Sequence, residues 1–451
     1  MKLFIYAFFL FIVLIILNYC SSDTPLFPKD HKIVMTVDTD VTEAWIDLNV
    51  VNWDSKTPYF VKRDSLILFQ GLLDDGKFFR KDTGLSPGNS YTYHAFARKD
   101  NKTGSHTSVT ATTLDTTKHE VDWKIFEIGG QGTSFLHDVA LISADDIWAV
   151  GDIHTEDTDR WNEDSTKWIK PYNAVHCDGQ EWELKRIKTK GCGGVVYPPI
   201  KTVFAFSEED ILFAHIDGSI TFYDGSKFRN DCSLITQLNG SARKIWGVSS
   251  EDFYVVNGNG FIAHYHGNSW RRIESGTSID LLDIWGVNDG QLIWMCGFDE
   301  LDGAILLREK DNEIIKPVVI RRSMPPQPEK INQIFKSIWT DDANWIYLGS
   351  NGRVYKMYWD NPRILSEFIW WDYANGLPPV TTSIRGNGVN DIFIAGQEGL
   401  LKHFNGITWH QYNELPENID WYGLSVKKEN LAAIGITNSF PNKAIIAIGK
   451  K

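Results

Sequence analysis

His176-Cys177-Asp178-Gly179, with Trp182 three residues beyond the glycine, reads as the end of one strand, a tight turn and the opening of the next strand. The phrase returns as Phe222-Tyr223-Asp224-Gly225 with Phe228, as His264-Tyr265-His266-Gly267 with Trp270, and as His403-Phe404-Asn405-Gly406 with Trp409. Asp-Gly and Asn-Gly suit short hairpin loops, because these residues tolerate the positive φ that such turns demand. A hairpin that recurs at intervals of tens of residues is one supersecondary unit used many times.

Working outward, each hairpin is preceded by two apolar strands. The first recurs as Val139-Ala140-Leu141-Ile142, Val203-Phe204-Ala205-Phe206, Ile245-Trp246-Gly247-Val248, Ile284-Trp285-Gly286-Val287, Ile338-Trp339-Thr340, Ser383-Ile384-Arg385-Gly386 and Tyr422-Gly423-Leu424-Ser425. The second often opens on an acid or an asparagine, as in Asp146-Ile147-Trp148-Ala149-Val150-Gly151 and Asp391-Ile392-Phe393-Ile394-Ala395-Gly396. Its first apolar residue recurs at intervals of 64, 42, 40, 52, 47 and 39 residues, which makes seven units. Units of four strands close most naturally as blades around an axis. The seventh unit stops after Ala444-Ile445-Ile446-Ala447-Ile448, one strand short, and Val121 to Ile128, with Trp123 placed like the other outer-strand tryptophans, supplies it. The expected fold class is all-β, with a seven-bladed β-propeller over 121–451 closed by pairing of its N- and C-terminal strands, an arrangement that leaves no exposed edge.

Residues 1–20 read as a targeting segment: Lys2 is a short positive region, and Leu3 to Leu17 is an apolar run too short to span a membrane. Leu17-Asn18-Tyr19-Cys20 resembles a bacterial lipoprotein lipobox, with Tyr19 standing where that pattern has a small residue. The resemblance implies lipidation at Cys20 and a mature chain anchored at the cell envelope, at the outer membrane or cell surface. A linker covers 21–30, and strands with alternating pattern fill 31–116. Leu85-Ser86-Pro87-Gly88 ahead of a strand carrying tyrosine, Tyr91-Thr92-Tyr93, resembles the fibronectin type III signature, which implies a β-sandwich with a structural tyrosine.

Net charge of −13 and the lack of any Lys/Arg cluster argue against a nucleic-acid partner. Aromatics reach 13 % of the chain, and one per hairpin accounts for most of them. Export permits disulfides, and Cys192 and Cys232, each after an outer strand of consecutive units, are a candidate pair. Cys296 lies in an apolar strand and reads as a buried thiol, and Cys177 lies inside a strand. No CxxC or HxxxH spacing indicates a metal, and no cofactor or nucleophile motif stands out.

The combination of Asp-Ile-Trp-Ala-Val-Gly with His-x-Asp-Gly-x-x-Trp resembles a bacterial family of exported propellers, a likeness that speaks to fold and not to activity. His176, His264 and His403 hold one repeated position, so each is expected to tie its own blade together. Acids opening the second strands, such as Asp146 and Asp252, are expected to accept backbone N–H bonds in turns. Function is expected on loops that break the repeat. The candidate ligand-binding residues are Asp152, Trp161 and Trp168 on an acidic insertion, Asp217 and Glu398 on other loops, and the adjacent Trp370 and Trp371. The first reading is a non-catalytic envelope scaffold that binds a protein or glycan through a propeller face. The alternatives are a carbohydrate-active enzyme using Asp152, Asp217 and Glu398 as axial acids and, last, a metal- or cofactor-bearing oxidase.

Overall fold

The computed structural model describes residues 27, 30–52, 58–72, 76–99, 101–130, 132–190, 195–238, 242–287, 290–300, 302–309, 316–321, 334–341, 345–350, 353–358, 361–369 and 379–451. Residues 1–20, expected to be a targeting segment ending at Cys20, the pair Trp370 and Trp371, and Cys192 lie outside them. The chain divides into two compact units, Met1–Thr116 and Thr117–Lys451. Among the described residues, no helix is long and apolar enough to cross a membrane.

The smaller unit holds two antiparallel sheets. One runs, edge to edge, Lys32–Thr39, Glu43–Val51, Gly76–Thr83; the other runs Leu66–Leu72, Pro58–Arg63, Ser90–Lys99, Lys102–Thr112. Alternation along the strands turns Ile46, Leu48 and Val50 of one sheet against Tyr59, Val61 and Ala95 of the other. The Pro87-Gly88 turn is pinned by Tyr91, whose hydroxyl accepts the Ser86 N–H at 2.9 Å. Tyr93, two residues on, is wholly buried and donates to Asp82 at 2.9 Å, and Arg63 holds the same carboxylate through both oxygens. Burial and the Asp82 carboxylate push the Tyr93 hydroxyl well above its usual range, so it stays a donor.

Among its described residues, the larger unit holds seven four-stranded antiparallel sheets and two short two-stranded ones. Their first strands are Phe135–Ser143, Ile200–Ser207, Lys244–Ser249, Leu281–Gly286, Ser337–Trp339, Thr381–Gly388 and Ile419–Lys427. Each first strand lies against the first strand of the next sheet, and that of the seventh lies against that of the first. The seventh sheet takes its fourth strand from the start of the unit: Asp122–Ile128 pairs with Ala444–Lys450, with Phe126 opposite Ile446. Second strands are apolar on both faces because both meet a neighbouring sheet; Asp391–Gly396 is buried at every residue.

Sheet-to-sheet contact explains the recurring Ile-Trp-Gly. The Trp246 ring of the third sheet lies where a Cβ on Gly286 of the fourth would sit, 2.7 Å away, and Trp339 of the fifth lies 3.0 Å from the equivalent point on Gly386 of the sixth. Any side chain at those glycines pushes two sheets apart. A buried aromatic at such a contact contributes roughly 1.5–3 kcal/mol relative to exposure.

The repeated histidines do clasp their sheets. His176 bonds Asp146 at 2.9 Å, His264 bonds Asp252 at 2.6 Å and His403 bonds Asp391 at 2.8 Å. The expectation that these acids cap backbone turns is thereby corrected: each carboxylate lies on the strand next to the imidazole's and accepts a hydrogen bond from its ring N–H. The ring also stacks on the aromatic paired with it, Trp148, Tyr254 or Phe393, at centroid distances of 4.1, 4.0 and 4.4 Å. Burial lowers the pKa of His403 despite the Asp391 bond.

Candidate functional site

Register along the first strands sets up two rings around the common axis. The residue just before the first apolar position is Asp138, Thr202, Lys244, Asp283, Ser337, Ser383 or Gly423. One residue earlier stand His137, Lys201, Arg243, Leu282, Lys336, Thr382 and Tyr422, with four basic residues and no acid. Together these two rings line most of a cavity of about 630 Å³ at one end of the axis.

The inner ring is a floor of crossed ion pairs. Lys244 of the third sheet reaches Asp138 of the first at 2.7 Å, and the Asp138 carboxylate also accepts the Thr202 hydroxyl at 2.6 Å. Arg385 of the sixth sheet forks onto Asp283 of the fourth at 2.9 and 3.0 Å, and its guanidinium also donates to the Ser337 hydroxyl of the fifth at 3.1 Å. Each pair therefore ties three sheets. Burial pushes the Asp283 carboxyl up, but the Arg385 charge and bonds outweigh it and hold the group ionised. Removing one partner of such a pair costs about 3–5 kcal/mol, because it strands a buried charge.

The outer ring is less compensated. Lys201 places its ammonium 3.1 Å from His137 Nε2. Burial and that ammonium depress the His137 pKa to about 4, so the neutral ring accepts the bond. Burial, then Arg243, lowers the pKa of Lys201, and burial alone lowers that of Lys336. Neither lysine has a carboxylate partner among the described residues. Arg243 lies 3.8 Å from Asp280, with both side chains 45 % exposed, a contact that solvent screens. The cavity thus gathers five cationic side chains (Lys201, Arg243, Lys244, Lys336 and Arg385) against the two carboxylates of Asp138 and Asp283. Phe135, Phe298 and Tyr422 add aromatic wall. In an acidic protein this is a local positive well that attracts anions.

Asp152 lies near the end of the second strand of the first sheet, paired with Phe135, and Asp217 and Glu398 follow the second strands of the second and sixth sheets. Antiparallel pairing brings these points back to the end where the first strands begin. They stand on separate sheets, and none lines the cavity. Asp152 lies 3.3 Å from His154, whose other nitrogen bonds Asp159 at 2.6 Å. Asp217 caps its own turn through Ser219, and Glu398, with φ of 56°, donates its N–H to Asp420. Trp161 and Trp168 face each other across a two-residue-per-strand hairpin in the insertion, rings 5.8 Å apart edge to face and 56 % and 38 % exposed. Cys232 is disulfide-bonded, whereas Cys177 and Cys296 are buried free thiols.

A second cavity of about 450 Å³ opens at the other end of the axis, walled by Phe204, Phe206, Trp246, Trp285, Val248 and Val426. Lys244 and Arg385 touch both cavities, so the ion-pair floor separates them.

No protein-family model matches the chain, and no curated protein matches it. Solved structures do. YCF48 bound to a D1 peptide aligns with a TM-score of 0.52 and 13 % identity over 73 % of this chain and 95 % of that one. The WD40 β-propeller domain of Doa1 aligns with a TM-score of 0.51 and 13 % identity over 74 % and 98 %. The larger unit is a β-propeller. YCF48 from Cyanidioschyzon merolae aligns comparably, with a TM-score of 0.50 and 12 % identity over 72 % of this chain and 98 % of that one. At such identity the likeness describes the fold of the propeller alone.

The basic mouth was missed by a search for acids on loops. Its signal lay in the repeat: the residue two before the first apolar position of each first strand, aligned over the units.

Proposed function

We propose that this protein is an exported, lipid-anchored scaffold whose propeller holds an acidic segment of a partner protein at the basic mouth, without chemistry on it. The observation that carries this reading is the cationic excess of the mouth, with Lys201 and Lys336 partly desolvated and, among the described residues, in no ion pair with a carboxylate. A desolvated ammonium gains most from an incoming carboxylate, since its hydration has already been lost. The similar structure of YCF48 bound to a D1 peptide is compatible with peptide capture by this fold.

Seven blades closed by the Asp122–Ile128 strand are supported by the cyclic order of first strands and by its pairing with Ala444–Lys450. A fibronectin type III-like sandwich before them is supported by the three-plus-four strand order and by the Ser86–Tyr91 bond. Anchoring through Cys20 rests on the lipobox resemblance, and on this reading the sandwich spaces the propeller from the membrane. A glycan ligand has one observation in its favour, the exposed Trp161 and Trp168 beside the acidic insertion. The acid-catalysis reading has less, because Asp152 and Asp217 are engaged locally, by His154 and Ser219, and none of Asp152, Asp217 and Glu398 lines the cavity.

The test is titration of the chain lacking residues 1–20 with a fluorescent hexaglutamate peptide, with hexaglutamine as control. Saturable binding that weakens with salt and drops about tenfold or more, a loss of about 1.4 kcal/mol, in the Lys201→Gln, Lys336→Gln double variant supports the proposal. Equal affinity in wild type and double variant overturns it.

A further inference from the structure

The third blade departs from its siblings at one residue, and the departure assembles a new set of donors. In the first, second and sixth blades the turn residue before glycine is Asp178, Asp224 or Asn405. Its side chain is consumed by the turn. Asp178 Oδ1 accepts the N–H groups of Gln180 and Glu181 at 3.0 and 3.1 Å, Asp224 those of Ser226 and Lys227 at 2.9 and 2.7 Å, and Asn405 those of Ile407 and Thr408 at 3.0 and 2.8 Å. In those blades the strand ladder ends one residue earlier, at Cys177 with Trp182, Tyr223 with Phe228 and Phe404 with Trp409.

The third blade carries His266 there. Its turn closes differently: Gly267 and Asn268 both take positive φ, 56° and 67°, and the ladder runs on to pair His266 with Ser269. A two-residue turn of that kind needs no side-chain cap. His266 therefore remains on the pleat, and residues two apart along a strand share a face, so it stands beside His264. Asp252 is its direct cross-strand partner. His264 Nε2 lies 2.6 Å and His266 Nδ1 3.5 Å from the Asp252 carboxylate, and all three donor atoms fall within 4.8 Å of one another.

We propose that Asp252, His264 and His266 form a divalent-metal site, for a late first-row ion such as Zn²⁺. Two imidazoles and one carboxylate are a donor set that Zn²⁺, Ni²⁺ and Cu²⁺ take readily, whereas Mg²⁺ and Ca²⁺ prefer oxygen ligands throughout. Binding draws the three donor atoms around the ion at roughly 2.0–2.2 Å, which replaces the His264–Asp252 hydrogen bond. His264 is already fixed in plane by parallel stacking on Tyr254, 4.0 Å between centroids. The His266 side chain is 70 % exposed, so the ion arrives from solvent and water completes its shell. The His176–Asp146 clasp of the first blade has Asp178 where the third has His266 and serves as an internal control. Ligation needs a deprotonated imidazole nitrogen on each histidine, so protons compete with the ion for the site.

The experiment uses the full chain and ZnCl2 in competition with a chromophoric chelator, with MgCl2 as the comparison ion, beside thermal melting with and without Zn²⁺. The wild type is expected to bind Zn²⁺ at one specific site and to melt higher in its presence. His266→Asn restores the sibling turn residue, so it should fold and melt normally without metal. It is expected to lose Zn²⁺ affinity by about tenfold or more and to lose the melting shift, while His410→Asn, away from the trio, keeps both. Zn²⁺ binding or a melting shift unchanged in His266→Asn overturns the proposal, as does no binding by the wild type up to about a hundredfold excess of ion.

Discussion

The two ends of the propeller axis are made by the same strands and differ in chemistry. One mouth carries Lys201, Arg243 and Lys336; the other carries Phe204, Phe206, Trp246 and Trp285. The difference is positional. The apolar mouth uses first-strand residues that also pack between blades, so their identity is set by the Trp-on-Gly contacts that space the sheets. The basic mouth uses residues ahead of the first apolar position, where contacts to the neighbouring blade are polar and run through long side chains, as from Lys201 to His137 and from Arg243 to Asp280. What the fold leaves free there has become cationic in a chain of net charge −13. On the proposed reading, the part of each unit that builds the ring is thus separate from the part that addresses a ligand.

The floor between the mouths should give the largest effect when broken. Arg385→Met leaves Asp283 buried and unpaired and is expected to cost about 3–5 kcal/mol in urea unfolding. Adding Asp283→Asn should recover part of that loss, and a double variant as unstable as the single would remove the charge explanation. At the apolar mouth, Trp246→Ala is expected to cost about 3 kcal/mol and to leave hexaglutamate affinity unchanged. A matching fall in that affinity would mean that the two ends are not independent.

The basic mouth should respond the other way. Lys201→Gln with Lys336→Gln should abolish most acidic-peptide binding while leaving the melting temperature at pH 7 equal or slightly higher. Burial depresses both lysine pKa values, so the folded state holds these protons less tightly than the unfolded chain. A clear loss of stability would show that the lysines serve the ring.

The smallest expected effect is on pH. His119, His137 and His215 are each lowered to about 4, with burial the leading cause in every case. A histidine whose folded pKa is depressed contributes stability that is fully present above about 6.5 and is lost as pH falls toward 4. Thermal melts should therefore decline through that window, and a His137→Gln variant should decline less. A flat profile in the wild type would contradict the assignment of neutral, buried rings.

Most of the fold was legible because hairpin phrase and apolar strand are both short-range signals. The Asp122–Ile128 pairing with the last strand could be read from an arithmetic of strands, one missing at one end and one spare at the other. The histidine clasps were legible as a repeated position, but their acids were not, since an aspartate opening a strand looks the same whether it caps a turn or faces an imidazole across the sheet. The basic mouth was hidden for a related reason. Its residues are scattered through 201–336, and only register around a ring brings them together. His266 was hidden by a turn: an H-x-H pair becomes a donor set only when the strand extends far enough to keep both rings on one face.

The most direct test of the two-ended account is photocrosslinking. A hexaglutamate peptide bearing a benzophenone would be bound to the propeller-containing chain, irradiated and mapped by peptide mass spectrometry. Adducts on the strands opening at Ile200, Lys244 and Ser337, competed by salt, are the expected result. Adducts concentrated near Trp246 and Trp285, or spread over the outer strands, would contradict the claim that the basic mouth is the binding end.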